Sequence, residues 1–250
     1  MFNEIAKAVV FSVSDIKKHF QTDVAMFAWL KRRILDKRII KIKRDLYSVV
    51  DPTIGTTVAD KYMIGSAVTK SSYIAYHSAL EFHGIANQVY NILYVAGEER
   101  FSPFEFDGIE YSYTHSPLSE GVMRIYKGSE LKVTDLERTL IDCLNNLKMS
   151  GGIEELLNAL DSVSYVDEKR MVNYLEKYNT NVLFRKAGYV FSEYKKELSL
   201  SDAFFSFCKE KVDKNRYYFL REEKANSKLD KNWNLIVPNL VDLRKNFIGI

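Results

Sequence analysis

Side chains that enzymes commonly use are present in this sequence, but they form no recognisable catalytic motif. His77, Glu81 and His83 fall in one stretch, H-S-A-L-E-F-H, whereas a zinc protease requires H-E-x-x-H. The sequence has no phosphate-binding G-x-x-x-x-G-K-[S/T] loop, no G-x-G-x-x-G pattern and no G-x-S-x-G nucleophile elbow. We therefore expect no metal site, no cofactor and no enzymatic activity.

One enzymatic alternative remains open. The triplets Glu193-Tyr194-Lys195 and Glu222-Glu223-Lys224 both match the E-x-K half of a metal-dependent nuclease motif. In such an enzyme the carboxylate would hold Mg²⁺ and the lysine would support the attacking water. A nuclease would also need this triplet at the end of a strand, but Glu193 lies in a stretch with a helical pattern.

Charge is distributed unevenly along the chain. Residues 1–50 contain eleven lysines and arginines and five aspartates and glutamates, which is a net charge of +6. The remaining residues contain 25 basic and 28 acidic side chains, which is a net charge of −3. This asymmetry predicts an anionic partner for the N-terminal part.

The elements that would present these charges are short. Apolar spacing predicts three helices, Asn3–Phe11, Asp15–Phe20 and Asp23–Lys37. The alternation of Ile40-Lys41-Ile42-Lys43 and the following Leu46–Val49 predict two strands joined at Arg44-Asp45, where aspartate tolerates a positive φ. Three helices followed by a hairpin predict a winged helix-turn-helix over residues 1–52.

The third helix is the expected recognition helix. Phe27, Leu30 and Ile34 are predicted to face the core, so that the basic side chains project elsewhere. Arg32 and Arg33 are the candidates for guanine contacts, because a guanidinium matches guanine O6 and N7. The full set of predicted DNA-binding residues is Lys17, Lys18, Lys31, Arg32, Arg33, Lys37, Lys41, Lys43 and Arg44.

The rest of the chain, residues 56–250, follows a short linker marked by Asp51-Pro52-Thr53 and Gly55. Strand patterns dominate its first half and helical patterns its second half, which predicts a mixed α+β domain and an α+β class for the whole chain. Arg138 and Asp142 have the i, i+4 spacing of a structural ion pair. The apolar runs are too short to cross a bilayer and no signal peptide is evident, so we expect a cytoplasmic protein without a membrane partner.

Three stretches resemble the AbiEi family, the antitoxins of type IV toxin–antitoxin (abortive infection) systems. The first is the winged helix, which ends in Lys41-Ile42-Lys43-Arg44-Asp45-Leu46-Tyr47. The second runs from Tyr73 to Ile85 and is similar to the family's Y-I-S-x-x-S-A-L-x-x-H-G-L. The third runs from Val133 to Asp142, is followed by Gly151-Gly152, and is similar to V-x-x-x-x-R-T-L-x-D … G-G. The match covers roughly residues 12–160. The family's wing usually has glycine where Asp45 stands here.

The resemblance implies a division of roles. The N-terminal domain would bind double-stranded operator DNA, for which inverted repeats would suit two copies, and would repress its own operon. The rest of the chain would counter a cognate nucleotidyltransferase-like toxin, without necessarily forming a stable complex with it. The alternatives are the nuclease above, or a protein–protein adaptor whose basic N-terminus is only a solvated surface.

Overall fold

The computed structural model describes Ile5, residues 8–220 and residues 227–238, and it confirms the predicted α+β class. The chain divides into two compact units. The first comprises Met1–Ser78 and Tyr90–Thr134, and the second comprises Ala79–Val89 and Asp135–Ile250. The predicted linker between residues 52 and 56 lies inside the first unit, so these units do not coincide with the predicted domains 1–52 and 56–250.

The first unit begins with a small sheet and two helices. Its elements are β1 (Val10–Ser12), α1 (Val13–Ile16), a 3₁₀ turn (Lys17–His19), α2 (Asp23–Leu35), β2 (Ile39–Lys43) and β3 (Leu46–Val49). The three strands pair in the order β1-β3-β2. A strand, two helices and a hairpin in this order fit the arrangement of a winged helix.

The predicted helix Asn3–Phe11 is wrong at its C-terminal end. Val10 and Phe11 lie in β1, where they pair with Ser48 and Tyr47 of β3. Valine and phenylalanine favour strands, and the edge of β3 supplies the backbone hydrogen bonds that a strand needs. Ile5 is helical, whereas residues 3–4 and 6–7 of the predicted helix lie outside the described residues.

The following helix also begins earlier than predicted. Ser12 caps it: its backbone N–H donates to the Asp15 carboxylate at 2.7 Å, and its hydroxyl accepts from the Asp15 N–H at 3.3 Å. This reciprocal capping box fixes the chain direction between β1 and α1. Ile16 is then buried in the core.

The predicted hairpin is confirmed. β2 ends at Lys43, β3 begins at Leu46, and Arg44-Asp45 forms the connecting turn. Asp45 has a φ of 64°, the left-handed conformation in which glycine is most favourable and aspartate is tolerated. The absence of glycine at this position is therefore compatible with the turn.

A six-stranded mixed sheet forms the rest of the first unit. Its strands are β4 (Tyr73–Ile74), β5 (Ile92–Ala96), β6 (Phe104–Phe106), β7 (Ile109–Thr114), β8 (Val122–Tyr126) and β9 (Glu130–Thr134), in the order β6-β7-β5-β4-β9-β8. The short helix α3 (Lys61–Ser66) packs closely on it, because a Cβ on Gly65 would lie 2.6 Å from Leu93 and 2.7 Å from Ile74.

The small N-terminal sheet contacts this larger sheet directly. The Val10 backbone N–H donates to the Ser129 hydroxyl at 3.0 Å, in the loop between β8 and β9. Lys43, at the end of β2, lies over the rings of Phe101 and Phe104. The N-terminal elements are therefore anchored on the six-stranded sheet at both β1 and β2.

Helices dominate the second unit. They are α5 (Leu136–Asn145), α6 (Leu147–Ser150), α7 (Ile153–Asp161), α8 (Glu168–Tyr178), α9 (Asn181–Ser192) and α10 (Asp202–Glu210), and α4 (His77–Phe82) crosses the division between the units. A three-stranded sheet follows, with β10 (Tyr217–Tyr218), β11 (Lys228–Asp230) and β12 (Leu235–Val237) in the order β10-β12-β11.

A buried ion pair lies at the centre of the helical unit. The predicted pair is confirmed: Arg138 Nε donates to Asp142 Oδ1 at 2.6 Å, and both side chains are fully buried. The Tyr178 hydroxyl donates to the same carboxylate oxygen, and the Tyr174 hydroxyl donates to Asp135 at 2.6 Å. These bonds join α5 to α8 through buried and half-buried polar groups.

A second buried arginine organises the C-terminal sheet. Arg185 of α9 is fully buried and donates to the Trp233 carbonyl at 2.8 Å and to the Asp213 carboxylate at 2.8 Å. Its guanidinium also stacks 4.7 Å from the Tyr217 ring centroid. One turn later, Gly188 leaves room for the Trp233 indole, which would lie 2.2 Å from a Cβ at that position.

We expect the Arg138–Asp142 pair to be essential for the stability of the helical unit. Asp142→Ala leaves a buried guanidinium without its counter-charge and should lower the free energy of unfolding by about 3–5 kcal/mol in urea titrations. The double variant Arg138→Met/Asp142→Leu removes both charges and should recover most of that loss. A single variant as stable as the parent chain would contradict this role.

Candidate nucleic-acid interface

Helix α2 determines which side chains the N-terminal elements present to solvent. Thr22 caps it by accepting from the Ala25 N–H at 3.2 Å. Met26 and Leu30 face inward, 1% and 2% exposed. They belong to the cluster of buried residues that holds α2 against the small sheet, formed by Ile5, Phe11, Ile16, Met26, Leu30, Ile39 and Tyr47.

The predicted core stripe of Phe27, Leu30 and Ile34 is therefore wrong in two of its three positions. Phe27 is 49% exposed and Ile34 is 39% exposed. The helix carries apolar side chains on both sides, and the i, i+4 pair Met26 and Leu30 occupies the core instead. The whole helix is rotated relative to the prediction.

This rotation turns a mixed apolar and basic surface outward. We call Val24, Phe27, Ala28, Lys31 and Leu35 the outer face of α2, because helical spacing places them together and all five are exposed. Val24 is 80% exposed and Leu35 is 73% exposed. Lys31 lies between them, and Arg32 flanks the face.

The two adjacent arginines have different roles. Arg32 is exposed, and no described residue forms an ion pair or hydrogen bond with its side chain. The guanidinium of Arg33 instead lies 5.7 Å from the Trp29 ring centroid and 3.2 Å from the Asp36 carboxylate. This packing makes Arg33 part of the local fold, which weakens the interpretation of Arg33 as a base-contacting residue.

Basic residues surround α2 at both ends. Lys17 and Lys18 are exposed on the preceding 3₁₀ turn, and Lys17 lies 3.1 Å from the Asp23 carboxylate in the first turn of α2. That contact offsets the one acidic side chain at this end of the helix. Lys37, with a φ of 54°, follows the other end and is exposed.

The wing presents only part of its predicted charge. Lys41 is exposed on β2, and the Arg44 side chain is 91% exposed at the turn, 3.6 Å from Asp45. Lys43 is half-buried, with its ammonium 5.2 Å and 5.0 Å from the ring centroids of Phe101 and Phe104. Burial lowers the pKa of Lys43, and the charge of Asp45 opposes that shift. Lys43 therefore anchors the wing.

Several predicted cations remain available to an anionic ligand. Within the described residues, no side chain forms an ion pair or hydrogen bond with the side chains of Lys18, Lys31, Arg32, Lys37 or Lys41. Arg38, which was not among the predicted residues, is also exposed and directly follows Lys37. In the sequence, the only signal for Arg38 was the overall positive charge of residues 1–50.

The residues considered for a nuclease or metal site do not come together in the described structure. Lys195 of the first E-x-K triplet pairs with Asp202, and Glu193 lies at the C-terminal end of α9, whereas the second triplet lies outside the described residues. His77 is buried with its ring 4.2 Å from the Tyr90 ring. In the described ranges, no three histidine, cysteine or carboxylate side chains come together as a metal-binding group.

Comparisons with known proteins provide a fold relationship. No family model matches the chain, and no curated protein matches its sequence. Its structure is similar to the crystal structure of the RV2827C protein from Mycobacterium tuberculosis, with a TM-score of 0.69 and 14% sequence identity over 99% of this chain and 93% of that chain. The two proteins therefore share a fold over nearly their whole length. In the part of the chain that is described, no helix is long and apolar enough to cross a membrane.

Measurements of protein stability can test whether Arg33 is packed in the fold while Arg32 is free of such contacts with the described residues. Arg33→Glu removes the contact with Trp29 and places a carboxylate beside Asp36, so it should cost about 1–2 kcal/mol and lower the melting temperature. Arg32→Glu changes the same charge one residue away and should leave the melting temperature nearly unchanged. Equal effects of the two changes in thermal unfolding by circular dichroism would show that Arg33 is not held as described.

Proposed function

We propose that the protein is a DNA-binding transcription regulator that acts as the antitoxin of a toxin–antitoxin system. The observation that carries the DNA-binding part is the outer face of α2. It presents Lys31 outward, with Arg32 beside it, on a helix whose opposite side is fixed in a core. A helix held in this way, next to a basic hairpin, has the geometry that a major-groove reader requires.

Electrostatics favours a polyanionic partner. The five cations that have no ion-pair or hydrogen-bond partner among the described residues, together with Arg44, surround one helix and one hairpin turn. Contacts between such side chains and phosphates release counterions, so the affinity would fall steeply with salt. Six phosphate contacts would give a slope of log K against log salt of roughly −5.

The operator would contain inverted repeats, and the protein would repress its own operon. This part of the proposal is supported by the resemblance to the AbiEi antitoxins in three ordered stretches of sequence. Two copies bound to a two-fold symmetric site would insert their α2 helices into two successive major grooves, one turn of the DNA double helix apart. We propose a cytoplasmic location for the same reason, since operator DNA is found there.

The toxin-countering activity is supported by the same resemblance, and it would belong to the chain beyond the winged-helix elements. The cognate toxin would be a nucleotidyltransferase-like protein, and neutralisation would not require a stable complex. Of the alternatives, the nuclease has little support, because Lys195 is engaged by Asp202 and Glu193 ends a helix. The adaptor remains an alternative that the experiments below can distinguish.

The DNA-binding proposal predicts a specific loss on charge reversal. Lys31→Glu/Arg32→Glu should abolish binding to the duplex upstream of the protein's own gene, because two phosphate- or base-contacting cations become repulsive. Fluorescence anisotropy between 50 and 300 mM salt measures the affinity and its salt slope. Lys169→Glu/Lys196→Glu, which makes the same charge change at two exposed lysines of the second unit, is the matched control and should bind normally.

Two results would contradict the proposal. Binding that does not depend on salt would mean that phosphate contacts are not the source of affinity. Equal losses in both double variants would mean that overall charge, and not α2, determines binding.

The antitoxin proposal predicts that a mutation can abolish DNA binding and repression without affecting neutralisation of the toxin. Co-expression of the chain with the toxin encoded in the neighbouring reading frame should restore bacterial growth. The Lys31→Glu/Arg32→Glu variant should restore growth equally well while failing to repress a reporter fused to the operon's promoter. Growth arrest that the parent chain does not relieve would rule out the antitoxin activity but leave DNA binding intact.

A further inference from the structure

The outer face of α2 is unusual for a surface that reads DNA through hydrogen bonds. Its N-terminal half presents Val24, Phe27 and Ala28, and none of these side chains can donate or accept a hydrogen bond. Val24 is 80% exposed and Phe27 is 49% exposed, although a core position would stabilise both. Lys31 is the only polar side chain on this face.

The chemistry of the major groove offers one partner for such side chains. Each base pair presents hydrogen-bond donors and acceptors there, and the single apolar group is the C5-methyl of thymine. Alanine and phenylalanine are side chains that contact this methyl group. The N-terminal half of a recognition helix is also the part that reaches the base edges.

We infer that Val24, Phe27 and Ala28 read thymine methyl groups, so that the operator carries thymines where the N-terminal half of α2 enters the major groove. This inference rests on the proposed DNA binding and names the bases that the same surface selects. Lys31 and the flanking Arg32 supply phosphate or guanine contacts further along the helix.

A protein partner fits this face less well than DNA does. Lysine is depleted from the buried centres of protein–protein interfaces, yet Lys31 lies in the middle of the outer face. Lys18 and Lys37 lie beyond the two ends of α2, are exposed and have no ion-pair partner among the described residues, so they add positive charge at both ends of this face. Charge complementarity therefore favours a nucleic acid over a second copy of the chain.

The test uses the full-length protein and a duplex obtained by selection from a library with 30 random base pairs. Replacement of its thymines by deoxyuridine removes only the methyl groups. Affinity should fall about fourfold for each methyl group that α2 contacts. Val24→Ser/Phe27→Ser should bind the thymine duplex more weakly and should no longer distinguish it from the uracil duplex.

The matched control is Val89→Ser, which changes a valine that is 76% exposed outside α2 and should retain the thymine preference. Melting curves of each variant check that the fold is retained; if Val24→Ser/Phe27→Ser does not fold, Val24→Ser alone is used. The inference is overturned if the parent chain binds thymine and uracil duplexes equally, or if the serine variant keeps the full preference. It is also overturned if the serine variant loses self-association, measured by sedimentation, while its DNA binding is unchanged.

Failure of this inference differs from failure of the proposed function. If the parent chain selects a sequence, binds it in a salt-dependent manner and ignores the methyl groups, DNA binding stands and the thymine readout does not. If no duplex is enriched and no salt-dependent binding is seen, both are wrong.

Discussion

The rotation of one helix about its own axis determines what the N-terminal part of the molecule can bind. Met26 and Leu30 bury almost all of their surface against the small sheet. Because side chains on a helix keep fixed angular positions, this pair also sets the direction of every other residue of α2. A rotation that buried Phe27 and Ile34, as the sequence pattern predicted, would have turned different side chains toward solvent.

Anchoring of the wing is the second constraint. The hairpin is not a free arm, because Lys43 packs its ammonium against Phe101 and Phe104 while the turn beyond it exposes Arg44. The hydrogen bond from Val10 to Ser129 holds the other side of the small sheet. The winged-helix elements and the six-stranded sheet therefore form one compact unit, so residues beyond the first 52 help to hold the surface that we propose contacts DNA.

Local sequence patterns were sufficient to predict most helices and strands, but they could not predict which side of a helix is buried. Strand patterns predicted β3 at its observed bounds, and turn chemistry predicted the left-handed Asp45. Helix α2 has apolar side chains on both sides, so its periodicity alone could not decide which side is buried. The packing of Lys43 depends on tertiary contacts, because it meets aromatic rings more than fifty positions away, which no local pattern encodes.

The most direct test of this account is methyl NMR of the full-length protein during titration with its upstream duplex. The methyl groups of Val24 and Leu30 lie on opposite sides of the same helix, one 80% exposed and the other 2% exposed. If the outer face of α2 binds DNA, the Val24 signals should shift strongly as DNA is added, while those of Leu30 should change little. Binding that leaves the Val24 signals unmoved, with changes confined to the second unit, would contradict this account.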